Sequence, residues 1–449
     1  MHTRHVIAIN LLVFLFMLSC SKKGDTPAPN PTPNPSVPGC ATNTYPQANG
    51  FITFATPTLT WTSVAGATSY DVYIGTAPNP TTLVATVTTN SYNFSFFPIP
   101  TTYYWYVRPK SNLGAPVGCA STTTSFSYIL IFSPPPINYY VVGYFPSYRS
   151  IADVPDVKFR MTNVVIYAFY SVNNTGGLSA PASAVASLNE VAAKARSNNA
   201  KIMLGINDGS GDGKSNFRSM AATPEGRNTF IRQVMNVVAA NNLDGVDIDW
   251  EFPTTADGTD ATFTALIKEL SDSLHRNGGE YLSAAIVSGK YAGGVRDAIR
   301  SEIFPYVDFF NIMAYDDFST SIPYVHHSNF SLAQTCLNYW LNTRGMPVSK
   351  CVLGLPAYGR PSGITQSNTV LSYRSILSQG GNPQSDSAIV TAGGFTNYTI
   401  YYNGQYTVKR KAKLAKDIAN GVMMWEKWQD TPDGTSLLKA ACDTVGRPY

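Results

Sequence analysis

Four acidic residues are concentrated in one short segment of the chain, residues 244–251, among apolar residues and a glycine. Because successive side chains on a strand point to opposite faces, Asp247, Asp249 and Glu251 share one face of a predicted strand. Asp244 has the other parity and is expected to be structural. A row of acids on a buried strand does not stabilise a core, so we interpret it as a site of chemistry.

The three aligned carboxyl groups cannot all ionise cheaply inside a protein, since desolvation and neighbouring negative charge both raise a carboxyl pKa. One of them is therefore expected to hold a proton near neutral pH. Glu251 is the outermost of the three and lies where the strand meets the following loop, within reach of a substrate. This position predicts a general acid.

A metal site is the competing interpretation of clustered acids. The segment contains no histidine, and of the five histidines in the chain His2 and His5 fall in the amino-terminal leader. The alternative would therefore be an oxygen-only site for Mg²⁺ or Ca²⁺. The sequence favours acid catalysis without a metal or a cofactor.

Eight apolar strand candidates follow residue 137 and alternate with helical segments. They are residues 140–144, 164–169, 202–206, 245–251, 282–286, 309–315, 352–355 and 422–425. Helical spacing of apolar residues covers 184–197, 226–240 and 262–276. The alternation predicts that residues 137–449 form a closed (β/α)8 TIM barrel. A doubly wound open sheet is the alternative, and it is disfavoured because polar residues collect at the carboxyl ends of several strands.

Residues 40–134 have a different pattern, in which short strands of alternating polar and apolar residues are separated by turn residues. The strand candidates are 58–61, 70–74, 83–87 and 103–107. The pattern resembles a fibronectin type III module, a small all-β sandwich that precedes the barrel. Trp61, Tyr73 and Trp105 are its expected core residues.

Residues 1–20 resemble the signal peptide of a bacterial lipoprotein. Arg4 precedes an apolar stretch, residues 6–18, that is too short to span a bilayer as a stable helix. The segment ends in Leu-Ser-Cys, which is similar to a lipobox, whose cysteine, here Cys20, is acylated. Residues 21–39 are proline-rich and predict an extended linker. We expect an exported lipoprotein at the outer membrane or cell surface; an ordinary secretory signal peptide is the alternative.

The remaining cysteines fall into two groups. Cys40 and Cys119 bracket the predicted sandwich and could pair in an oxidising compartment. The other three are Cys336, Cys351 and Cys442, which leave an odd thiol. The sequence does not determine their connectivity.

The composition excludes extreme classes of protein. The chain is 44% apolar and 13% charged, with a net charge of +4, so it has ample material for folded cores. A basic run, Lys409, Arg410, Lys411 and Lys413, is a candidate nucleic-acid patch. Apolar residues at helical spacing beside it favour the solvated face of an amphipathic helix instead. We expect no nucleic-acid partner.

The acidic segment matches the motif D-x-x-D-x-D-x-E in full, and other segments match at the expected strands. They are MAYD at residues 313–316, GLPAYGR at residues 354–360 and WE at residues 425–426. On these motifs, the chain from about Tyr139 onward resembles glycoside hydrolase family 18, the chitinase family. One motif departs from the family: after the third strand S-x-G-G is usual, whereas residues 205–209 here are GINDG.

The resemblance implies a retaining hydrolysis of β-1,4-linked N-acetylglucosamine in which the substrate itself supplies the nucleophile. Glu251 would protonate the glycosidic oxygen while the 2-acetamido carbonyl attacks C1 and gives an oxazolinium ion. Asp249 would orient the acetamido N–H, with Asp247 sharing its proton. Tyr315 would bind the acetamido carbonyl, and Trp425 would stack beneath the sugar.

Further residues at the same strand ends are expected to line the substrate groove. They are Tyr144, Met313, Asp316, Tyr358 and Arg360. Two other functions stay open: an endo-β-N-acetylglucosaminidase acting on N-glycans or peptidoglycan, and a non-catalytic glycan-binding lipoprotein. The sequence favours a monomeric chitinase that binds chitin or N-acetylglucosamine oligosaccharides.

Overall fold

The computed structural model describes residues 36–52, 57–94, 101–128, 134–277, 279–318, 325–361 and 369–449. The chain divides into two compact units, Met1–Ile129 and Leu130–Tyr449. The predicted signal peptide and Cys20 lie outside the described residues, as does most of the proline-rich linker. Among the described helices, none has the length and apolar character that crossing a bilayer requires.

The smaller unit consists of two β-sheets. One contains Asn43–Tyr45, Thr58–Trp61 and Ser91–Asn93, and the other contains Gly50–Ile52, Thr124–Tyr128, Thr101–Lys110, Ser69–Gly75 and Leu83–Val87, in sheet order. Leu59 of the first sheet and Val72 and Phe126 of the second belong to the same buried core. The predicted all-β sandwich is confirmed.

Trp61 and Trp105 are buried in this core as predicted, but the prediction for Tyr73 is wrong. Tyr73 is only partly buried and stacks on Tyr106 of the neighbouring strand, with ring centroids 4.8 Å apart. The residues on either side of Tyr73 belong to the core. Strand alternation therefore turns its ring to the outer face of the sheet.

The sandwich is closed by a disulfide between Cys40 and Cys119, which are 79 residues apart in sequence. A cross-link over so long a loop restricts the unfolded chain and so favours the folded one. The other described cysteines are buried free thiols: Cys336, Cys351 and Cys442.

The larger unit is built on eight parallel strands. They are Tyr140–Pro146, Val164–Val172, Lys201–Asn207, Gly245–Asp249, Tyr281–Val287, Phe309–Met313, Cys351–Pro356 and Gly421–Trp425. The first strand pairs with both the second and the eighth, as Val142↔Val164 and Gly421↔Tyr140 show. The sheet therefore closes, which confirms the predicted barrel and rules out the open sheet.

Helices surround the barrel in the order expected of repeated β/α units. They are Asp156–Arg160, Leu188–Ser197, Ser215–Ala221, Pro224–Asn241, Thr259–Asn277, Gly294–Asp297, Phe330–Leu337, Tyr373–Ser378, Gln405–Ile418 and Leu437–Val445. The second begins four residues later than predicted because Ser187 and Glu190 form a capping box there. Between the seventh and eighth barrel strands the chain adds a small antiparallel sheet: Tyr358–Pro361, Leu371–Ser372, Ser387–Ala392 and Phe395–Tyr401.

Each barrel strand is buried on both faces, which explains why the strands read as continuous apolar runs. On the fourth strand Val246 and Ile248 belong to the core between strands and helices. Val142, Met203 and Phe309 belong to a separate core inside the barrel. Side chains that point inward near the carboxyl ends of the strands are instead polar, and they form the site described below.

The solvated-face interpretation of the basic run is wrong for Lys411. Lys411 lies on the helix Gln405–Ile418 but has no exposed surface, and its Nζ donates to Ser328 O at 2.7 Å and to Asn403 Oδ1 at 2.6 Å. Burial lowers its pKa to about 7. The spacing of apolar residues on the helix does not show that Ser328 and Asn403 provide acceptors for the Lys411 side chain.

Lys158 and Asp430 form a buried ion pair between the first helix and the segment after the eighth strand. Lys158 Nζ also donates to Ser436 Oγ at 2.7 Å, and Asp430 accepts from the backbone N of Leu437 at 2.8 Å. Neither side chain of the pair is more than 2% exposed. The pair therefore fixes the end of the barrel through contacts that water cannot replace.

Lys158→Met keeps the length of the side chain but leaves Asp430 buried without its counter-charge. We expect the free energy of unfolding of the barrel to fall by about 3 to 5 kcal/mol. Urea denaturation of the full chain measures it. The control is Lys413→Met, which breaks the exposed pair with Asp417 and should cost about 0.5 kcal/mol or less. Equal losses in the two variants would contradict a structural role for the buried pair.

Candidate active site

A cavity of about 350 Å³ opens at the carboxyl ends of the barrel strands. Its lining residues are Tyr144, Phe169, Asn207, Asp208, Gly209, Ser210, Gly213, Asp249, Glu251, Ala285, Met313, Tyr315, Asp316, Tyr358 and Trp425. Eight of the ten residues that the sequence predicted for the site are in this set. The other two, Asp247 and Arg360, contact members of it from outside the cavity.

The fourth strand positions the acids by simple alternation. Asp247 and Asp249 have inward parity, and the strand ends at Asp249, two residues earlier than predicted. Trp250 has the opposite parity and stacks on Phe217 of the helix layer, with ring centroids 5.0 Å apart. Glu251 follows the strand and lies exposed at the cavity rim.

Asp247 is fully buried and receives hydrogen bonds from three other barrel strands, the first, fifth and sixth. Tyr144 Oη donates at 2.7 Å, Ser283 Oγ at 2.6 Å and Asn311 Nδ2 at 3.2 Å. Desolvation raises the pKa of Asp247, and these three donors partly offset the rise. The carboxylate is thus held in one orientation beneath the cavity.

Asp249 has no comparable support. Its Oδ1 is buried and finds no hydrogen-bond partner among the described residues. Desolvation, and then the charges of Glu251 and Asp247, raise the pKa of Asp249 well above its usual value. The raised pKa favours the protonated form of this carboxyl group, and its Oδ1 is an unused polar atom at the cavity. No hydrogen bond joins Asp247 to Asp249, so the two are coupled through charge.

Asp316 is fixed beside the acid by an ion pair. Its carboxylate accepts from Arg360 Nε at 2.5 Å and from Tyr358 Oη at 2.6 Å. Although burial alone would raise its pKa, these hydrogen bonds hold the pKa of Asp316 below its usual value. Desolvation, and then the charge of Asp316, raise the pKa of Glu251, though less strongly than that of Asp249.

Aromatic rings form the apolar part of the cavity. Trp425 stacks on Phe169, with ring centroids 5.7 Å apart and planes 17° from parallel, and its other neighbour is Tyr144. Burial raises the pKa of Tyr315 well above its usual value, so its hydroxyl stays protonated and can donate. A flat ring and a hydroxyl donor beside two acids suit a pyranose ring with a polar substituent.

The cleft extends beyond Glu251 into a second hollow. This hollow of about 260 Å³ is lined by Glu251, Met313, Tyr315 and Asp316 and adds Tyr291, among others. Because the two hollows share these four residues, Glu251 stands between them. The two hollows together offer room for an elongated ligand that passes Glu251.

Several site residues were missed in the sequence. The loop after the third strand, where the family motif fails, contributes Asn207, Asp208 and Gly209 to the cavity. Asp208 is buried and accepts from the backbone N of Phe217 at 2.7 Å, which ties this loop to the next helix. Ser283 and Asn311 were also missed. The sequence feature that could have identified them is a single polar residue, on the inward-facing side, in an otherwise apolar strand.

The structure also shows the environment of Asp244 and bears on the metal-site alternative. Asp244 accepts from the backbone N of Ile202 at 2.9 Å and pairs with Lys201 at 3.1 Å, which is a structural arrangement. Within the ranges that the structure describes, no three His, Cys, Asp or Glu side chains are grouped to hold a metal ion.

The sequence model of the family described as Glycosyl hydrolases family 18 matches residues 140–430, which is more than half of the chain. The chain belongs to this family of glycoside hydrolases. The match begins at the first barrel strand and extends past the eighth, so family 18 accounts for the barrel and for every residue of the acidic strand.

Chitinases are among the known proteins similar to the chain. Probable chitinase 2 of Drosophila melanogaster is 31% identical over 170 residues, which cover 36% of this chain and 34% of that protein. The chain thus spans about a third of this relative's length. The GH18 chitinase ChiB of Flavobacterium johnsoniae is 28% identical, with a TM-score of 0.56, over 69% of this chain and 94% of that one. A plant class V chitinase mutant from Cycas revoluta shares the fold, at 22% identity and a TM-score of 0.59, over 68% of this chain and 99% of that one.

Asp249→Asn is expected to stabilise the fold at neutral pH. Because the pKa of Asp249 is raised, the folded state binds this proton more tightly than the unfolded state does, and the contribution of Asp249 to stability falls as pH rises above about 4. Asparagine carries no such penalty. We expect Tm at pH 7 to rise by about 2 to 4 °C, the shift that roughly 1 kcal/mol gives in a large domain.

Calorimetry at about pH 3.5, below the unfolded-state pKa of Asp, should show no gain for Asp249→Asn. Asp443→Asn is the control, since the pKa of that carboxyl is lowered and its removal should bring no stabilisation. A gain of the same size at both pH values would show that the raised pKa is not the cause.

Proposed function

We propose that the protein is a chitinase that hydrolyses β-1,4-linked N-acetylglucosamine with the substrate's own acetamido group as nucleophile. The observation that carries the proposal is the state of the acids around the cavity. The raised pKa of Asp249 favours its protonated form, Asp316 is bound to Arg360, and Asp208 accepts from the backbone N–H groups of Phe217 and Ser210. These three carboxyl groups are thus poor nucleophiles for C1, whereas the raised pKa of Glu251 favours a proton donor at the rim.

In the proposed mechanism, Glu251 gives its proton to the glycosidic oxygen as the bond from C1 to that oxygen breaks. The carbonyl oxygen of the 2-acetamido group forms a bond to C1 from the other side and gives an oxazolinium ion. Glu251, now a carboxylate, takes a proton from a water molecule that adds to C1 and reopens the ring. The configuration at C1 is therefore retained.

The other groups bind the acetamido substituent. The unpartnered Oδ1 of Asp249 is a free acceptor for its N–H, and Tyr315 donates to its carbonyl oxygen. Trp425 offers a ring face to the sugar. Asp247 acts beneath Asp249 through its negative charge, which favours the protonated form. This division of roles needs a substrate with an amide at C2.

Relatives support the substrate class. The Cycas revoluta chitinase was solved in complex with (GlcNAc)3, and the curated relatives that match carry chitinase names. We transfer chitin and its oligomers to this chain as the proposed substrates. The presence of Glu251 disfavours a purely lectin-like role.

Glu251→Gln should abolish hydrolysis while leaving the fold intact. Loss of a positioned general acid lowers kcat by roughly 10²- to 10⁴-fold, and steady-state kinetics on chitin oligomers measures it. Glu302→Gln, at an exposed pair with Lys268, is the matched control and should retain wild-type rates. If Glu251→Gln kept more than a few percent of activity, another group would have to be the acid.

Substrates that lack the 2-acetamido group should not be cleaved. We expect turnover of chitin oligomers and no measurable turnover of the corresponding glucose or deacetylated oligomers, because the nucleophile is missing. Sizing the products from colloidal chitin, a high-mannose glycoprotein and peptidoglycan separates the chitinase from the endo-β-N-acetylglucosaminidase. Equal cleavage of acetylated and non-acetylated chains would exclude substrate assistance.

We further propose that the chain is exported and anchored through a lipid on Cys20. The support is the apolar leader with its lipobox-like end and the proline-rich linker after it. A disulfide between Cys40 and Cys119 also suits an oxidising compartment. The sandwich would then act as a spacer between the membrane surface and the barrel.

A further inference from the structure

His327 is a fully buried residue that contacts the Asp316 turn without lining the cavity. Its Nδ1 accepts from the backbone N of Asp316 at 3.4 Å and lies 3.5 Å from Asp316 Oδ1. Its backbone oxygen accepts from the N of Asp317 at 2.9 Å. One residue therefore contacts two successive backbone groups and the carboxylate of the turn.

The turn needs such support because of its backbone conformation. Asp316 has φ of +61°, in the left-handed region that side chains other than glycine rarely adopt. Aspartate adopts this region more readily than most residues do, but it remains less favourable than the common backbone conformations, so contacts are needed to hold it. His327 supplies such contacts.

His327 is itself held in place from outside the cleft. The adjacent Ser328 donates from Oγ to Ala314 O at 2.7 Å, at the end of the sixth strand. Ser328 O accepts from Lys411 Nζ at 2.7 Å and from Asn403 Nδ2 at 2.6 Å. Lys411 thus holds Ser328 in place, and with it the adjacent His327 that contacts the Asp316 turn.

The charges around His327 keep its ring neutral. Burial is the largest cause that lowers its pKa, Lys411 and Arg360 lower it further, and Asp316 opposes them. Its other neighbours are the rings of His326 and Tyr358, at 5.8 and 5.1 Å between centroids. Of the two tautomers of a neutral ring, the one with its proton on Nε2 leaves Nδ1 free to accept the hydrogen bond from Asp316 N–H.

We propose that His327 is a positioning residue for the acid: it fixes the Asp316 backbone and so holds the Asp316 carboxylate beside Glu251. The inference rests on the proposed function, in which Glu251 is the proton donor. Its consequence is a change in pH dependence. The charge of Asp316 raises the pKa of Glu251, so releasing that carboxylate should lower this pKa and make the acid lose its proton at lower pH.

Three substitutions at His327 separate positioning from packing. His327→Phe keeps a ring against Tyr358 but removes the acceptor, and His327→Gln places an amide one atom too far along. His327→Asn places its amide oxygen near the position of Nδ1 and should restore the contact. The alkaline limb of kcat/KM on chitin oligomers should move to lower pH by roughly 0.5 to 1 unit in the Phe and Gln variants and should stay near wild type in the Asn variant.

The Asp316→Asn background supplies the matched control. If His327 acts through the charge of Asp316, then His327→Phe should cause no further shift of the limb in that background. An equal shift in both backgrounds would overturn the proposal, because His327 would then act by another route. Thermal unfolding of each variant identifies any that fail to fold, and the Gln variant replaces Phe in that case.

A second readout does not depend on turnover. ¹³C NMR titration of the Glu251 carboxyl in the full chain, assigned with Glu251→Gln, should show a lower pKa in His327→Phe than in wild type. An unchanged titration in a folded variant would refute the positioning role even if the enzyme cleaves chitin. Conversely, a shifted titration in a chain that cleaves no chitin oligomer would uphold His327 and overturn the proposed function.

Discussion

The burial of acidic side chains inside a closed barrel is the constraint on which the site depends. The inward-facing acids of the fourth strand differ sharply in their support. Asp247 accepts hydrogen bonds from three donors, and Oδ1 of Asp249 finds no partner among the described residues. Glu251 then reaches solvent. Because no hydrogen bond compensates the desolvation of Asp249, its protonated form is favoured at the cavity.

The same constraint separates the two acids of the cavity from the two carboxylates around them. Asp316 has a guanidinium partner and stays ionised, and Asp247 has three donors. Asp249 and Glu251 have neither. Desolvation, hydrogen bonds and neighbouring charges thus shift the pKa values of neighbouring carboxyl groups in opposite directions, which lets one site combine a protonated acid with a fixed negative charge.

Sequence analysis predicted the strands and the side-chain directions that follow from local periodicity. It missed contacts between residues that lie far apart in the chain. The parity of Asp247 and Asp249 and the eight strands follow from alternation within short runs. Ser283 and Asn311 were missed because their role depends on register between strands, which no single strand contains. Lys411 was misplaced because two of its acceptors belong to Ser328, more than 80 residues away, and the third, Asn403, precedes the helix. The left-handed backbone of Asp316 is likewise a tertiary effect, since aspartate does not require it.

The stacking of Trp250 on Phe217 and its edge contact with Phe263 give the barrel wall an unexpected property. Trp250, which directly precedes Glu251, packs into the helical layer, so the position of Glu251 depends on packing behind the barrel wall as well as on the cavity. If Glu251 is the acid, substitution of Phe217 or Phe263 should lower the rate of hydrolysis by displacing Glu251, although both rings lie behind the strand and away from the cavity. Selection for activity would then also preserve the contacts of Trp250 with Phe217 and Phe263 in the helical layer.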